Sequence, residues 1–158
     1  MFREMARKKQ RLELEQIRQV LGQEKRGVLS VHGENGYPYG LPINYWFNEA
    51  DGCIYFHSGQ KGHKVDALAA DDRVSFCVYD AGYREPGQWA LNVRSVIVFG
   101  RMQQVTQPEK ALEVYRQLSL QFTADLEYIE SEIEKYAKNT LCYVLRPEHM
   151  TGKLVNEA

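Results

Sequence analysis

Two hydrophobic periods alternate along the chain. From about Lys9 to Gly22 the apolar residues return at helical spacing: Leu14, Ile17, Val20 and Leu21 share one face, and Gly22 supplies a stop. From Gly27 the period shortens to two. Gly27 to His32 reads as a strand, Glu34-Asn35-Gly36 as a hairpin turn, and Tyr37 to Phe47 as a second strand. Pro38 and Pro42 interrupt that strand, which predicts an edge or a bulge. A third strand spans Cys53 to His57. A helix spans His63 to Ala70, with Val65, Leu68 and Ala69 on one side. Arg73 to Tyr79 alternates Val74, Phe76 and Val78 as a strand should, and Asn92 to Val105 is a long strand with a bend expected near Gly100. Pro108 opens a helix at a favoured position, and Leu112, Tyr115, Leu118 and Phe122 mark its buried face. A further helix is expected over Asp125 to Ala137, and a last strand over Thr140 to Leu145.

Six strands in mostly hairpin order predict an antiparallel sheet that curls into a barrel and removes its edges, with helices over its ends and sides. The class is mainly β with added helices. The 158 residues suit one domain around one core. Within it, 1–24 form an N-terminal helical arm, 107–138 a helical insertion and 147–158 a C-terminal tail.

Composition removes several function classes. Twenty Lys and Arg oppose 21 Asp and Glu, a net charge of -1, which speaks against a dedicated nucleic-acid or membrane-surface binder. No apolar run approaches the ~18 residues of a membrane-spanning helix. The basic N-terminal stretch, Arg3 to Arg11, does not lead into the apolar segment of a secretory signal. Cys53, Cys77 and Cys142 are odd in number and widely spaced, as for reduced thiols in a cytoplasmic protein. Dinucleotide, P-loop, nucleophile-elbow and metal-ligand spacings are all missing.

Two segments carry candidate chemistry. In Tyr55 to Lys64 a strand enters a glycine-bearing loop and then a helix. Free N–H groups and the positive dipole end at a helix start attract phosphate, and Ser58, Lys61, His63 and Lys64 cluster there. Upstream, the proline-interrupted stretch around Pro42, Ile43 and Asn44 leaves backbone groups free to meet the edge of a flat heterocycle. His57, at the strand end beside the loop, reads as a ligand-facing imidazole: a proton donor to a reduced substrate, an axial ligand to haem, or a plain strand cap. His149 sits in a terminal stretch expected to be loosely ordered. Trp46 reads as core and Trp89 as a loop residue suited to a lid or an interface.

Together these segments resemble the FMN-binding split barrels related to pyridoxamine 5'-phosphate oxidase, and more closely the 5-nitroimidazole resistance proteins. The resemblance rests on an ordered series: Phe2 to Met5, Gly27 to Ser30, Gly36 to Gly40, Pro42 to Tyr45, Ile54 to His57, Lys61 to Lys64, Arg73 to Phe76, Ser95 to Gly100 and Glu148 to Lys153. It implies a six-stranded antiparallel split β-barrel and a homodimer with FMN at the interface. It further implies a flavin phosphate on the Ser58–Lys64 loop, next to Phe56 and His57, and a ring edge on the backbone of Pro42, Ile43 and Asn44. Ser95 would contribute near the same site, and a small planar molecule would be the substrate. The activity implied is that of an FMN-dependent, nitroreductase-like oxidoreductase; the alternative is a flavin or haem carrier without turnover, with haem as the alternative cofactor. Gln60 stands roughly where the related oxidases carry an arginine, which removes one charge from the cluster and counts against pyridoxamine phosphate oxidation specifically.

Overall fold

The computed structural model describes residues 1–158. Seven strands form one antiparallel sheet: β1 Arg26–His32, β2 Pro38–Asn44, β3 Trp46–Asn48, β4 Cys53–Gly59, β5 Arg73–Tyr79, β6 Leu91–Gln104 and β7 Thr140–Glu157. Four α-helices accompany it: α1 Leu14–Gln23, α2 His63–Ala70, α3 Pro108–Leu120 and α4 Leu126–Tyr136. The spatial order is β2-β1-β5-β6-β7-β4-β3. The two edge strands, β2 and β3, are therefore consecutive in sequence and separated only by Tyr45. One residue cannot span an open sheet, so the sheet curls and brings its two edge strands near each other at Tyr45 without pairing them, a half-barrel in place of the closed barrel expected. The expected six strands become seven because the Tyr37–Phe47 segment breaks there. Its first half pairs with β1 and its second half with β4.

Tyr45 holds this seam with every polar group it has. Its N–H donates to the Lys25 carbonyl (3.1 Å), its carbonyl accepts from Gln121 Nε2 (2.7 Å), and its hydroxyl donates to the Leu21 carbonyl (2.8 Å). The ring is fully buried edge-on against Phe76. The Leu21 contact docks α1 onto the barrel mouth, where Ile17, Val20 and Leu21 enter the core. Leu14, expected on that face, is 58% exposed at the helix start.

Strand alternation fills the interior with Leu29, Val31, Phe56, Val74, Phe76, Val78, Val96 and Val98. A smaller core outside β4 and β7 joins Tyr55, Cys142 and Val144 to Val114, Tyr115 and Leu118 of α3. Phe122, expected to be buried, is instead exposed beyond the helix end. On α2 the inward residues are Ala67 and Leu68, and Ala69 faces out.

The largest correction concerns the C-terminus. Residues 147–158 are not a tail: β7 continues to Glu157 and pairs with β6 throughout. The register shifts between Phe99 and Gly100, where the bend was expected. Gly152 is required within this stretch, because a Cβ there would lie 2.6 Å from Ile17. His149 is accordingly ordered on β7, stacked on Phe2 at 4.9 Å. No helix is long and apolar enough to cross a membrane.

Replacing Tyr45 by Phe keeps the ring but leaves the Leu21 carbonyl without its donor. The expected loss is about 1–2 kcal/mol of unfolding free energy, read from the urea midpoint at unchanged m-value.

Candidate functional site

The curled sheet leaves two backbone edges open to ligands. β2 pairs with β1 on one side only. β4 pairs with β7 from Ile54 to Gly59, but β3 covers only Cys53 to Tyr55, so Phe56 to Gly59 have one free edge. Pro42, Ile43 and Asn44 lie on the first edge; Phe56, His57 and Ser58 lie on the second. The prolines of β2 explain why the chain tolerates an edge there.

Side chains on these strands divide between the two faces. Ile43 packs against the interior core, and Phe56 is fully buried, edge-on to Phe76. Ser58 is also buried, and its hydroxyl donates to the Gly59 carbonyl at 2.9 Å. Ile43, Phe56 and Ser58 can thus meet a ligand only through their backbone or, for Ser58, a hydroxyl lone pair. His57 points the other way. So does Asn44, whose Oδ1 accepts from Arg26 Nε at 2.8 Å while its amide nitrogen stays free.

The loop from Gly59 enters α2 through Gly62, whose φ of 137° is open essentially only to glycine. No side chain caps this helix start. Lys61 and Lys64 stand beside it, and neither has a carboxylate within 4.0 Å. Burial lowers the Lys64 pKa from its ordinary 10.5, so its charge is held there at a cost that a bound anion would relieve. His63 has a second duty: its ring stacks on Tyr39 at 4.0 Å and fastens α2 to β2. Gln60 reaches the Lys138 carbonyl at 3.3 Å and ties the loop to the chain after α4.

His57 faces a cleft of about 460 Å³. Asn44 and His57 line its sheet side. Tyr115, Leu118 and Ser119 of α3 and Glu132, Ile133 and Tyr136 of α4 form the opposite wall. The Tyr115 hydroxyl donates to the Thr140 carbonyl (2.9 Å), and burial pushes its pKa up to about 12, so it stays a neutral phenol. The His57 ring makes no hydrogen bond within the chain, and one side of it meets solvent. Burial of the rest of the ring, and secondly the charge of Lys64, hold its pKa below the ordinary 6.5. The shift favours the uncharged imidazole, which can both donate and accept a hydrogen bond.

Ser95 does not join this group within one chain. It pairs with Lys153 far along β7 from Cys142, the residue opposite His57. Trp46 is half-buried against Tyr55 with Lys110 over its ring, in keeping with a core role, and Trp89 is 88% exposed. Sequence reasoning missed the α3–α4 wall, since no periodicity reveals which sheet edge a helical hairpin overhangs.

The chain is a small curled antiparallel sheet with two free strand edges, beside an uncapped helix start that carries Lys61 and Lys64. The family model described as pyridoxamine 5'-phosphate oxidase matches residues 13–154, and the chain belongs to that family. No curated protein matches it. Among solved structures it is similar to a candidate 5-nitroimidazole antibiotic resistance protein from Bacteroides thetaiotaomicron (18% identity, TM-score 0.75, covering 92% of this chain and 87% of that one). A FAD-binding protein from Mesorhizobium loti matches at 20% identity with TM-score 0.67, over 92% and 96% of the two chains. A FAD- and haem-binding protein from Mycobacterium smegmatis matches at 17% identity with TM-score 0.69, over 90% and 71%. At these identities the likeness is one of fold.

Because the folded pKa of His57 is lowered, the unfolded chain binds the proton more readily. Its contribution to stability is complete above about pH 6.5 and is lost as pH falls toward the folded value. His57→Gln should therefore flatten the decline in urea midpoint between pH 7.5 and 5.5 relative to the unmodified protein. An equal decline in both would show that the ring is not held neutral.

Proposed function

We propose that the protein is an FMN-dependent oxidoreductase acting on small planar compounds, nitroimidazole-like molecules among them, from a site shared by two copies of the chain. The observation that carries this reading is the pair of unpartnered lysines at the uncapped start of α2, beside two free strand edges. Lys61, Lys64 and the N–H groups opening α2 hold the phosphate. Backbone groups of Pro42, Ile43 and Asn44 orient the ring edge, and those of Phe56 and Ser58 complete the cradle. A bound flavin supplies reversible two-electron exchange. His57, neutral and unengaged, hydrogen-bonds the acceptor atom of the substrate. Reduction of a nitro group to nitroso takes two electrons and two protons and releases water, so the electrons must enter from an external donor of the reduced-nicotinamide class.

Purified protein should be yellow, and the double variant Lys61→Ala, Lys64→Ala should weaken flavin binding by about 10- to 100-fold, in line with charge-assisted contacts of ~1.5–3 kcal/mol. Mass spectrometry of the released flavin separates FMN from FAD. Anaerobic reoxidation of the dithionite-reduced protein by 2-nitroimidazole tests turnover. Colourless protein that fails to take up micromolar FMN would falsify the reading. The free His57 ring and the haem-binding neighbour support haem as a second cofactor reading. It requires a Soret band that disappears in His57→Ala.

The outer sheet face supports the shared site. Pro42, Val28, Cys77 and Ile97 occupy one cross-strand row, with Phe99 in the next. Val28, Ile97 and Phe99 each stay about 40% exposed. A contiguous apolar stripe of this kind is a place for a two-fold partner. Because the stripe includes Pro42, it runs into the proposed cofactor edge, and Ser95 on the same sheet reaches a site only from a second copy. Light scattering should give twice the 18.3 kDa chain mass, and Ile97→Lys should halve it. A monomer at micromolar concentration would remove the shared-site model.

A further inference from the structure

Charge is spread unevenly along a chain whose net charge is only -1. Residues 1–11 carry Arg3, Arg7, Lys8, Lys9 and Arg11 against the single carboxylate of Glu4, a net of +4. Lys8 pairs with Glu4, while the other four cations are exposed and have no carboxylate within 4.0 Å. Glu13 and Glu15 follow, but they belong to the start of α1, where Glu13 closes a capping box. This arm is fastened to β7. Phe2 stacks on His149 and Phe99, Arg11 bridges to Lys153, and the Leu12 N–H donates to the Gly152 carbonyl at 2.9 Å. The opposite excess lies in 125–138, where five carboxylates meet two lysines, a net of -3. Most cations around the α3–α4 hairpin are engaged: Arg116 by Glu130, Lys135 by Glu132, Lys25 by the Gln121 carbonyl and Arg26 by Asn44. Lys138 is the exception, beyond the helix end. Glu127 and Glu134, two turns apart, share the side of α4 turned away from buried Ile129, and neither has a cation within 4.0 Å. Leu126 and Tyr128 beside them are largely exposed. The arm and α4 form no ion pair within one chain.

The sheet sets these two regions at opposite sides of one face. Its outer order is β2-β1-β5-β6-β7. The arm runs along β7, and the hairpin hangs beside the end of β2, where Gln121 bonds Tyr45. Two residues along the strands from the Pro42–Val28–Cys77–Ile97 row, Asn44 stands opposite Arg26, and Lys153, next to Arg11, stands opposite Ser95. A two-fold axis parallel to β5, with the apolar stripes face to face, lays the β7 side of each copy over the β2 side of the other at the same height along the strands. We propose that this orientation holds in solution: the basic arm of one copy docks on the acidic outer side of α4 of a second copy, twice per dimer. The inference rests on the dimer of the shared-site reading and adds what orients it. It also ties the hairpin that walls each cleft to the partner subunit. A nucleic-acid surface is disfavoured as the occupant, since such binders carry a basic excess overall and here α4 returns the charge.

Two charge reversals test this. One variant carries Arg3→Glu, Arg7→Glu and Lys9→Glu; the other carries Glu127→Lys and Glu134→Lys. All five positions are exposed and without ion-pair partners. Alone, each variant should dissociate at least about tenfold more readily than the unmodified dimer in sedimentation at about 50 mM NaCl, and the unmodified dimer should weaken toward about 500 mM. Mixed in equal amounts, the two variants should form the heterodimer in clear excess over either homodimer in native mass spectrometry, since each reversed arm then meets a reversed helix. Pairing within one chain cannot produce that excess, because each variant sets like charges against one another in its own chain. Statistical mixing overturns the arm contact and leaves the shared-site reading standing. Statistical mixing together with retention of duplex DNA by the unmodified arm assigns the arm to nucleic acid and overturns the contact as well. A monomeric unmodified protein removes both readings. Heterodimer excess in protein that takes up no flavin supports the contact and counts against the oxidoreductase reading alone.

Discussion

The seam at Tyr45 is the constraint on which the rest of the structure depends. A sheet whose two edges are adjacent in sequence can exist only if it curls, and the single residue between the edges must be fixed for the curl to persist. Tyr45 meets this demand by spending its N–H, carbonyl and hydroxyl on three different parts of the chain. Burying a phenol is costly unless its hydroxyl is bonded. The Leu21 carbonyl removes that cost and simultaneously docks α1. The Gln121 contact joins the seam to the end of α3. Lys25 reinforces the join: its backbone accepts from Tyr45, and its ammonium donates to the Gln121 carbonyl at 2.6 Å. One buried tyrosine thereby sets the curvature of the sheet, the seat of the N-terminal helix and the position of the helical wall.

The site follows from that geometry. Curling brings β2 and β4 to the same side of the barrel with their backbone edges uncovered, and the short β3 guarantees that the edge beyond Tyr55 stays free. Unpaired strand edges are usually a liability that proteins cover or charge. Here one is guarded by prolines, and the other is short and runs into a loop. The fold thus leaves backbone hydrogen-bonding capacity unpaired along both edges.

Legibility in the sequence tracked how local each cause was. The strands β1 and β5 and the helix α2 could be read directly, since alternation and helix-start chemistry act within a few residues. The Lys61–Lys64 cluster was legible for the same reason. The break at Tyr45 was not, because the segment from Tyr37 to Phe47 is apolar and β-prone throughout and only tertiary pairing divides it. The second half of β7 was hidden by Pro147, Gly152 and scattered polar residues. Each has a distant cause: Gly152 is small because Leu12 and Ile17 press against it from the arm, and the register shift lies opposite Gly100 and Pro147. Phe122 and Leu14 fit a helical face by spacing but lie at helix ends, where the face no longer meets the core. The cleft could not be read at all, since it depends on how a hairpin hangs from a seam formed elsewhere.

Charge gives the site a direction. At the α2 end Lys61 and Lys64 have no carboxylate partner, while on the α3–α4 wall Glu132 is paired with Lys135 at 3.4 Å. His57 belongs to both regions, since it lines the cleft and its proton affinity is lowered by Lys64. A dianionic group bound at the α2 start would offset that lysine and raise the affinity of His57 for a proton. The placement of Lys64 beside His57 follows from the turn into α2 at Gly62, whose backbone conformation no residue with a side chain adopts readily.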